Sequence, residues 1–166
     1  ALPISKQDWQ RSTAPIFRGT IIGFFIGVIP GLGAATSSFV SYATERQISK
    51  NPEEFGHGAI EGVAGPETAN NSSANAALLP LLTLGIPGSA TTALLMGAFL
   101  INGITPGPFL FQENAELVWT LIASMIIGNV ILLILNLPLV GVWARILLIP
   151  YPILMSLILV FTIVGS

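Results

Sequence analysis

Residues 66–107 read PETANNSSANAALLPLLTLGIPGSATTALLMGAFLINGITPG, and this stretch decides the fold of the chain. It opens with amides and hydroxyls, becomes apolar, breaks at residues 85–88 (GIPG) and restarts with SATT. No charged residue lies between Glu67 and Glu113. Such a run is far longer than the roughly 20 residues that cross a bilayer once. A break inside it frees backbone groups that lipid cannot hydrogen-bond, so we expect the break to line a protected cavity.

The composition indicates an integral membrane protein. Of the 166 residues, 52% are hydrophobic and 8% are charged, whereas a soluble domain carries about 25% charged residues. The formal net charge of −2 gives no reason to expect a nucleic-acid partner. The absence of cysteine excludes disulfides and thiolate metal sites.

We predict an all-α integral membrane fold that forms a single membrane domain over residues 1–166. We also expect the chain to be part of a larger protein, because it starts without a methionine and ends on an apolar run. The predicted segments are a polar lead-in (1–16), a first broken helix or hairpin (17–43), an amphipathic surface link (44–67), a central broken-helix segment (68–112), a spanning helix (117–144) and a last apolar segment (146–166).

The first apolar segment carries a ladder of glycines. Gly19, Gly23, Gly27 and Gly31 recur every fourth residue, which places them along one helix face and favours close helix packing. If residues 17–43 form a re-entrant hairpin, both flanks lie on one side of the membrane, and these flanks hold every lysine and arginine except Arg145. A straight first span is the alternative, and it would divide these basic residues between the two sides.

Two segments resemble each other. Residues 29–37 read IPGLGAATS and residues 86–92 read IPGSATT, so each pairs a Pro-Gly break with a helix that restarts on small and hydroxyl residues. A helix start presents unpaired N–H groups and about half a positive charge, and two starts at one cavity would bind an anion. The simpler reading of each break alone is a packed kink. The predicted substrate-binding residues are Gly31, Gly33, Ala34, Thr36, Ser37, Asn70, Asn71, Pro87, Gly88, Ser89, Thr91 and Thr92.

The predicted site lacks basic side chains, because no arginine, lysine or histidine lies between Glu67 and Arg145. One helix start contributes only ~0.3–2 kcal/mol, so two starts would not neutralise a di- or trianion. We therefore expect a co-transported cation, Na⁺ or H⁺, and no other cofactor, unless the rest of the protein supplies an arginine. Glu67, Asn70 and Asn71 are the candidate Na⁺ ligands, although Thr68 or Asn70 could instead cap a helix start.

Nothing in the sequence indicates an enzyme. The one histidine, His57, lies in the charged link, and no zinc-protease, CxxC or nucleotide-binding motif is present. Ser89 follows a glycine as some serine nucleophiles do, but the histidine lies outside the apolar core. We predict no catalytic residues.

Several motifs, in order along the chain, resemble the large membrane subunit of the tripartite tricarboxylate transporters. They are RGTIIGFFIGVIPGLGA (18–34), FGHGAIEGVAGPETANN (55–71), PLLTLGIPGS (80–89) and GITPGP (103–108). The resemblance is to the second of two homologous halves, so the first half would be missing and the chain would be one half of an inverted-repeat transporter.

This resemblance implies a multi-pass protein of the bacterial inner membrane, in contact with lipid. It also implies two protein partners, a small membrane subunit and a periplasmic solute-binding protein. The implied substrates are citrate-like tricarboxylates or other organic carboxylates, taken up by secondary transport that is coupled to Na⁺ or H⁺. The Pro-Gly motifs carry over to Pro30, Gly31, Gly33 and Pro87–Ser89, and the Pro-Glu-x-x-Asn-Asn motif to residues 66–71.

Two other functions compete with a carrier. An ion channel or pore subunit would favour a continuous polar lining, whereas here the polar residues cluster at two breaks. A membrane scaffold that does not transport would use the glycine ladder for packing and would not need hydroxyl residues at both breaks.

Overall fold

The computed structural model describes residues 4–146 and 150–165, and all the regular structure in these ranges is helical. The predicted all-α class is therefore confirmed for the described residues. The helices are α1 (Lys6–Val28), α2 (Gly33–Ile48), α3 (Glu61–Ala76), α4 (Leu78–Leu84), α5 (Ala90–Ile101), α6 (Leu110–Glu113), α7 (Ala115–Ile146) and α8 (Tyr151–Gly165), with one 3₁₀ turn at Pro52–Glu54.

The described chain divides into two compact units, and the boundary falls within α7. The first unit, Ile4–Val118, contains α1 to α6. The second begins at Trp119 and contains most of α7 together with α8. Residues 1–3 of the predicted lead-in, and residues 147–149 and 166 of the predicted last segment, lie outside the described residues.

Helix α1 starts earlier than the apolar pattern indicates. Ser5 caps it, because its hydroxyl accepts a hydrogen bond from the Asp8 amide at 3.1 Å, and the Asp8 carboxylate accepts one from the Ser5 amide at 2.9 Å. Most of the predicted polar lead-in is therefore the first three turns of α1. The helix ends at Val28, two residues before Pro30, where a proline and a glycine follow in succession.

The glycine ladder packs α1 against α3. A Cβ atom on Gly19, Gly23 or Gly27 would overlap a backbone carbonyl of α3, that of Gly65, Ala69 or Ser73 respectively. This confirms close packing as the role of these three glycines. Gly31, the fourth member of the ladder, lies in the turn after α1 with open space around it, so it does not belong to the packed face.

The link predicted over residues 44–67 is divided among three elements. It contains the end of α2, the 3₁₀ turn and the first two turns of α3. Thr68 and Asn70, which the sequence offered as helix caps, instead lie inside α3, because that helix already begins at Glu61 and continues through Pro66. The apolar side chain of Phe55 is buried and packs edge-on against Tyr42.

Among the described residues, one helical segment is long and apolar enough to cross a membrane, Ala115–Val142 within α7. Two shorter helices, α5 and α8, are also apolar. The large side chains along the second unit, among them Ile126, Leu133 and Phe161, are exposed.

Candidate ligand site between two helix breaks

The two Pro-Gly breaks meet in the first unit. The amide of Gly31 donates a hydrogen bond to the carbonyl oxygen of Gly88 at 3.0 Å. Gly88 is buried, and a Cβ atom there would lie 3.7 Å from the Cα atom of Pro30 and 3.6 Å from the Cβ atom of Ala77. The similarity of the two segments in sequence therefore corresponds to direct contact in space.

At the first break, glycines allow a conformation that other residues rarely adopt. Gly31 and Gly33 have φ angles of +90° and +72°, in the left-handed region that favours glycine. Helix α2 then begins at Gly33, preceded by Leu32, whose side chain makes no capping hydrogen bond. The backbone N–H groups at the start of α2 are thus left without a side-chain cap.

The hydroxyls that follow this break attach α2 to its neighbour instead. The Ser37 hydroxyl has one proton, and it lies 2.6 Å from the carbonyl oxygen of Ala34 and 3.0 Å from that of Ala69. The Ser38 hydroxyl lies 3.2 Å from the carbonyl oxygen of Pro66. Ser37 and Ser38 therefore contact α3, whereas Thr36 donates only to the carbonyl of Leu32 at the start of its own helix.

The second break ends one helix and starts another within five residues. Gly85, with φ +70°, follows the last residue of α4, and the Ile86 amide donates back to the Pro80 carbonyl at 3.2 Å. Ser89 then caps α5: its hydroxyl accepts from the Thr92 amide at 3.2 Å, and the Thr92 hydroxyl accepts from the Ser89 amide at 2.8 Å. The hydroxyl restart predicted here is therefore a capping box.

A cavity of about 500 Å³ lies between the breaks. The starts of α2 and α5 both contribute to its wall, and none of the described residues that line it is charged. Because the capping box satisfies the amides of Ser89 and Thr92, those of Ala90 and Thr91 remain without an intrahelical acceptor. The lining residues are Gly27, Gly33, Ala34, Ser73, Ala74, Ala77, Leu78, Gly88, Ser89, Ala90, Thr91, Thr92 and Leu95.

The electrostatic character of this cavity follows from its two helix starts. Each start carries a partial positive charge, and the effect is strongest within the first turn. The remaining wall is made mostly of alanine and leucine side chains. The arrangement provides hydrogen-bond donors for an anionic group at one part of the wall and apolar contact for the rest of a ligand.

A family model described as "Tripartite tricarboxylate transporter TctA family" matches residues 1–166. The chain belongs to this family. The match confirms the resemblance seen in the motifs, and it identifies a family of transporter subunits rather than enzymes. The membrane character expected from the composition agrees with this assignment.

Two relatives from Agrobacterium vitis are similar to this TctA-family chain. One, described as an uncharacterized 52.8 kDa protein in the TAR-I ttuC' 3'region, is 55% identical over 162 residues, which are 98% of this chain and 32% of the relative. The other, described as an uncharacterized protein in the TAR-II ttuC' 3'region, is 54% identical over 143 residues, 86% of this chain and 59% of the relative. The chain thus spans about a third of the first relative and well over half of the second. No solved structure matches it.

Half of the predicted binding residues lie at the cavity of this TctA-family chain. Those that line it are Gly33, Ala34, Gly88, Ser89, Thr91 and Thr92. Four others, namely Gly31, Thr36, Ser37 and Pro87, lie in the breaks or the first turn of α2 but are not part of the wall.

The predicted amide ligands lie elsewhere on α3. Asn70 is half-buried, and its side chain donates to the Ser38 hydroxyl at 3.3 Å. Asn71 is exposed and donates to the backbone carbonyl of Glu67, whose own side chain is also exposed. Successive residues of a helix point about 100° apart, so the two amides face different surroundings. The proposed Na⁺ ligation by these residues stays a prediction.

Sequence reasoning missed the part of the cavity wall that α3 and α4 provide. Ser73, Ala74, Ala77 and Leu78 line it, and none of them was singled out. No local signal marks them, because Asn70 and Ser73 lie three residues apart in the polar run NNSSAN and only Ser73 lines the cavity.

Two sets of ion pairs join α1 to the end of α2, to the 3₁₀ turn and to the start of α3. Arg18 forms a two-point pair with Glu45, at 2.9 Å from Nε and 2.5 Å from the terminal nitrogen, and the Glu45 side chain is only 1% exposed. Arg11 pairs with Glu61 at 2.7 Å and with Glu54 at 2.6 Å. The hydrogen bonds from Arg11 hold the pKa of the Glu61 carboxyl below its ordinary value.

Proposed function

We propose that this chain forms part of the large membrane subunit of a secondary active transporter for citrate-like tricarboxylates or other organic carboxylates. The observation that carries the proposal is the cavity of about 500 Å³ at which the starts of α2 and α5 meet. Membership of the tripartite tricarboxylate transporter TctA family supports the same substrate class. The anion would bind at the paired helix starts, through backbone N–H groups and the hydroxyls of the α5 start.

Charge balance supports coupling to a cation. Removing a carboxylate from water without a partner costs several kcal/mol, whereas each helix start returns only ~0.3–2 kcal/mol. No charged side chain lines the cavity. Entry of Na⁺ or H⁺ together with the substrate would supply the missing positive charge and would drive uptake.

The proposed topology places both Pro-Gly breaks in re-entrant helical hairpins of a multi-pass protein in the bacterial inner membrane. The Arg18–Glu45 pair supports this for the first hairpin, because it joins the outer part of α1 to the last turn of α2 and so keeps both flanks on one side. We also propose that the chain belongs to one half of an inverted repeat. Its partners would be the other half of the subunit, a small membrane subunit and a periplasmic solute-binding protein.

Uptake by the complete transporter in proteoliposomes tests the function. We expect labelled citrate, or another di- or tricarboxylate of a test panel, to accumulate above the outside concentration when a Na⁺ or H⁺ gradient is imposed. Accumulation should stop when the gradient is dissipated. Equilibration that ignores the gradient would indicate a pore, and no flux of any carboxylate would indicate a scaffold, so either result would contradict the proposal.

The predicted amide ligands need a separate measurement. If Asn70 and Asn71 contact the substrate, Asn70→Ala and Asn71→Ala should raise the substrate concentration that gives half-maximal uptake. If they contact the cation, the two substitutions should raise the cation concentration that gives half-maximal uptake. If neither concentration changes, the two residues do not belong to the site.

A further inference from the structure

Ser73 is a hydroxyl residue whose hydrogen-bonding capacity is unused. It lies in the wall of the cavity between the breaks, it is 1% exposed, and its Oγ atom has no hydrogen-bond partner among the described residues. Buried polar side-chain atoms in native proteins nearly always have a partner, so an exception at a cavity wall calls for an explanation.

The packing of α2 on α3 explains why Ser73 has no partner among the described residues. A serine inside a helix usually donates to the carbonyl four residues earlier, as Thr68 of the same helix does to Ala64 at 2.7 Å. For Ser73 that carbonyl belongs to Ala69. It already accepts the helical N–H of Ser73. The Ser37 hydroxyl also lies 3.0 Å from it and shares its single proton between this oxygen and the Ala34 carbonyl oxygen at 2.6 Å. Two donors therefore already approach the Ala69 oxygen, which leaves little room for a third.

We infer that the Ser73 hydroxyl donates a hydrogen bond to a carboxylate group of the transported anion. This assignment rests on the proposed function, and it adds a binding residue to that site. Across the same cavity stand the starts of α2 and α5, whose N–H groups favour a negative ligand. The Ser73 Oγ atom itself is buried in its present rotamer. Binding would turn the side chain to another staggered rotamer, in which a ligand in the cavity would give the hydroxyl an acceptor.

A cation is the competing ligand for the same oxygen. Helix α1 ends at Val28, close to Gly27 in the cavity wall, and the carbonyl end of a helix favours positive charge. We assign the anion because two helix starts and the hydroxyl residues Ser89 and Thr91 line this cavity, while no carboxylate among the described residues does.

The test compares Ser73→Ala with Ser41→Ala in the complete reconstituted transporter. Ser41 is a matched control, because its Oγ atom is also buried without a partner but it does not line the cavity. We expect Ser73→Ala to raise the KM for citrate, or for whichever panel carboxylate the wild type transports, by roughly tenfold to a hundredfold, as for loss of a hydrogen bond to a charged group. Ser41→Ala should leave that KM unchanged.

Three readouts separate binding from a structural effect. The maximal rate and the cation concentration for half-maximal uptake should stay near the wild-type values, and the melting temperature should not fall, because removal of an unpaired hydroxyl is not destabilising. Ser73→Cys, which keeps the shape of the side chain but replaces the hydroxyl by a larger and much weaker donor, should reproduce the Ser73→Ala result and serves if that variant does not fold.

If a stable Ser73 variant has an unchanged KM, the inference about Ser73 is wrong. The proposed function would still stand in that case, provided that the wild type shows coupled uptake. A shift in cation dependence with the KM unchanged would also overturn the inference, in favour of a cation ligand. Absence of coupled uptake by the wild type would overturn the proposed function and this inference together.

Discussion

The backbone amide of Gly31 donates to the carbonyl oxygen of Gly88 at 3.0 Å, so the two Pro-Gly breaks are joined by a backbone hydrogen bond. The contact requires Gly31 at φ +90° and a buried Gly88 that passes close to Pro30. It positions the starts of α2 and α5 at one cavity. The anion site proposed above depends on this juxtaposition more than on any single side chain.

The capping box of α5 links the stability of the second break to transport. Replacing Ser89 by Ala together with Thr92 by Val removes both reciprocal hydrogen bonds of the cap. Loss of a helix cap lowers the free energy of unfolding by about 1 kcal/mol. It also removes two hydroxyls from the cavity wall. We expect lower carboxylate uptake with normal membrane insertion, measured by transport assay and by quantitative immunoblot of the membrane fraction.

Thr44→Val is the control for that change, because the Thr44 hydroxyl donates only within α2, to Val40 at 2.8 Å, and does not line the cavity. Its uptake should match the wild type. If uptake by the Ser89/Thr92 variant were also unchanged, those two residues would not belong to the substrate site.

The α1–α3 contact should not tolerate an added methyl group. In Gly23→Ala the new Cβ atom would overlap the Ala69 carbonyl oxygen and lie 2.8 Å from the Cβ atom of Ser72. Because the obstacle is mainly backbone, the helices must separate, and we expect a loss of ~1–3 kcal/mol as for overpacked cores. Thermal unfolding in detergent measures it.

Gly97→Ala provides the comparison, since Gly97 lies inside α5 with open space around it. There the alanine should be neutral or stabilise by up to ~1 kcal/mol through its better helix propensity. Equal stability of the two variants would contradict the packing role of the glycine ladder.

The Arg18–Glu45 pair should respond unequally to loss of each partner. Glu45 is 1% exposed, whereas Arg18 is 37% exposed and could turn to water. Arg18→Gln would leave a buried carboxylate without its charge partner, a change that costs roughly 3–5 kcal/mol in other proteins. Glu45→Gln would leave Arg18 without its charge partner, but water can solvate the Arg18 side chain. We therefore expect a smaller loss of stability.

Melting temperatures of the two single variants and of the double variant test this asymmetry. The double variant should recover part of the loss caused by Arg18→Gln, because no charge then remains buried. A larger loss from Glu45→Gln than from Arg18→Gln would show that burial of the carboxylate does not determine the cost.

The Arg11–Glu61 pair predicts a dependence of stability on acid. Because hydrogen bonds from Arg11 lower the folded-state pKa of Glu61 below its ordinary value of 4.5, the pair stabilises the fold above that value. The contribution is lost as the pH falls through the lowered pKa. We expect Glu61→Gln to cost up to ~1 kcal/mol near neutral pH, since Arg11 is partly exposed, and to cost nothing in strong acid.

Unfolding midpoints of wild type and Glu61→Gln, followed from about pH 6 to about pH 3, should therefore converge. Glu53→Gln, on the exposed 3₁₀ turn, should run parallel to the wild type throughout. A gap between wild type and Glu61→Gln that stays constant over this range would contradict the linkage.

The helix breaks were predictable because proline and glycine act locally. Pro30 and Pro87 prevent helix continuation, and the conformations of Gly31, Gly33 and Gly85 need residues without a Cβ atom. The capping role of Ser89 follows from the same local chemistry. The early start of α1 at Lys6 was missed because hydrophobic periodicity locates lipid-facing segments, whereas a helix start depends on a cap such as Ser5.

The surroundings of the polar side chains on α3 were not predictable in this way. Asn70, Asn71 and Ser73 lie within four residues of one another, yet one contacts Ser38, one is exposed and one lines the cavity. The direction of each side chain depends on how α3 is rotated against α1 and α2. That rotation is set by the glycine contacts with α1, by the pair between Arg11 and Glu61, and by the contact of Ser38 with Pro66, all of which join residues distant in the chain.

By itself, the sequence determined the helical class, the positions of both breaks and membership of a transporter family, because each depends on local residue chemistry or on contiguous motifs. Only the tertiary structure decided that the breaks touch, that Ser73 rather than Asn71 lines the cavity, and that Glu45 is buried beside Arg18. These features depend on contacts between segments far apart in the chain, and such contacts are settled when whole helix faces pack together.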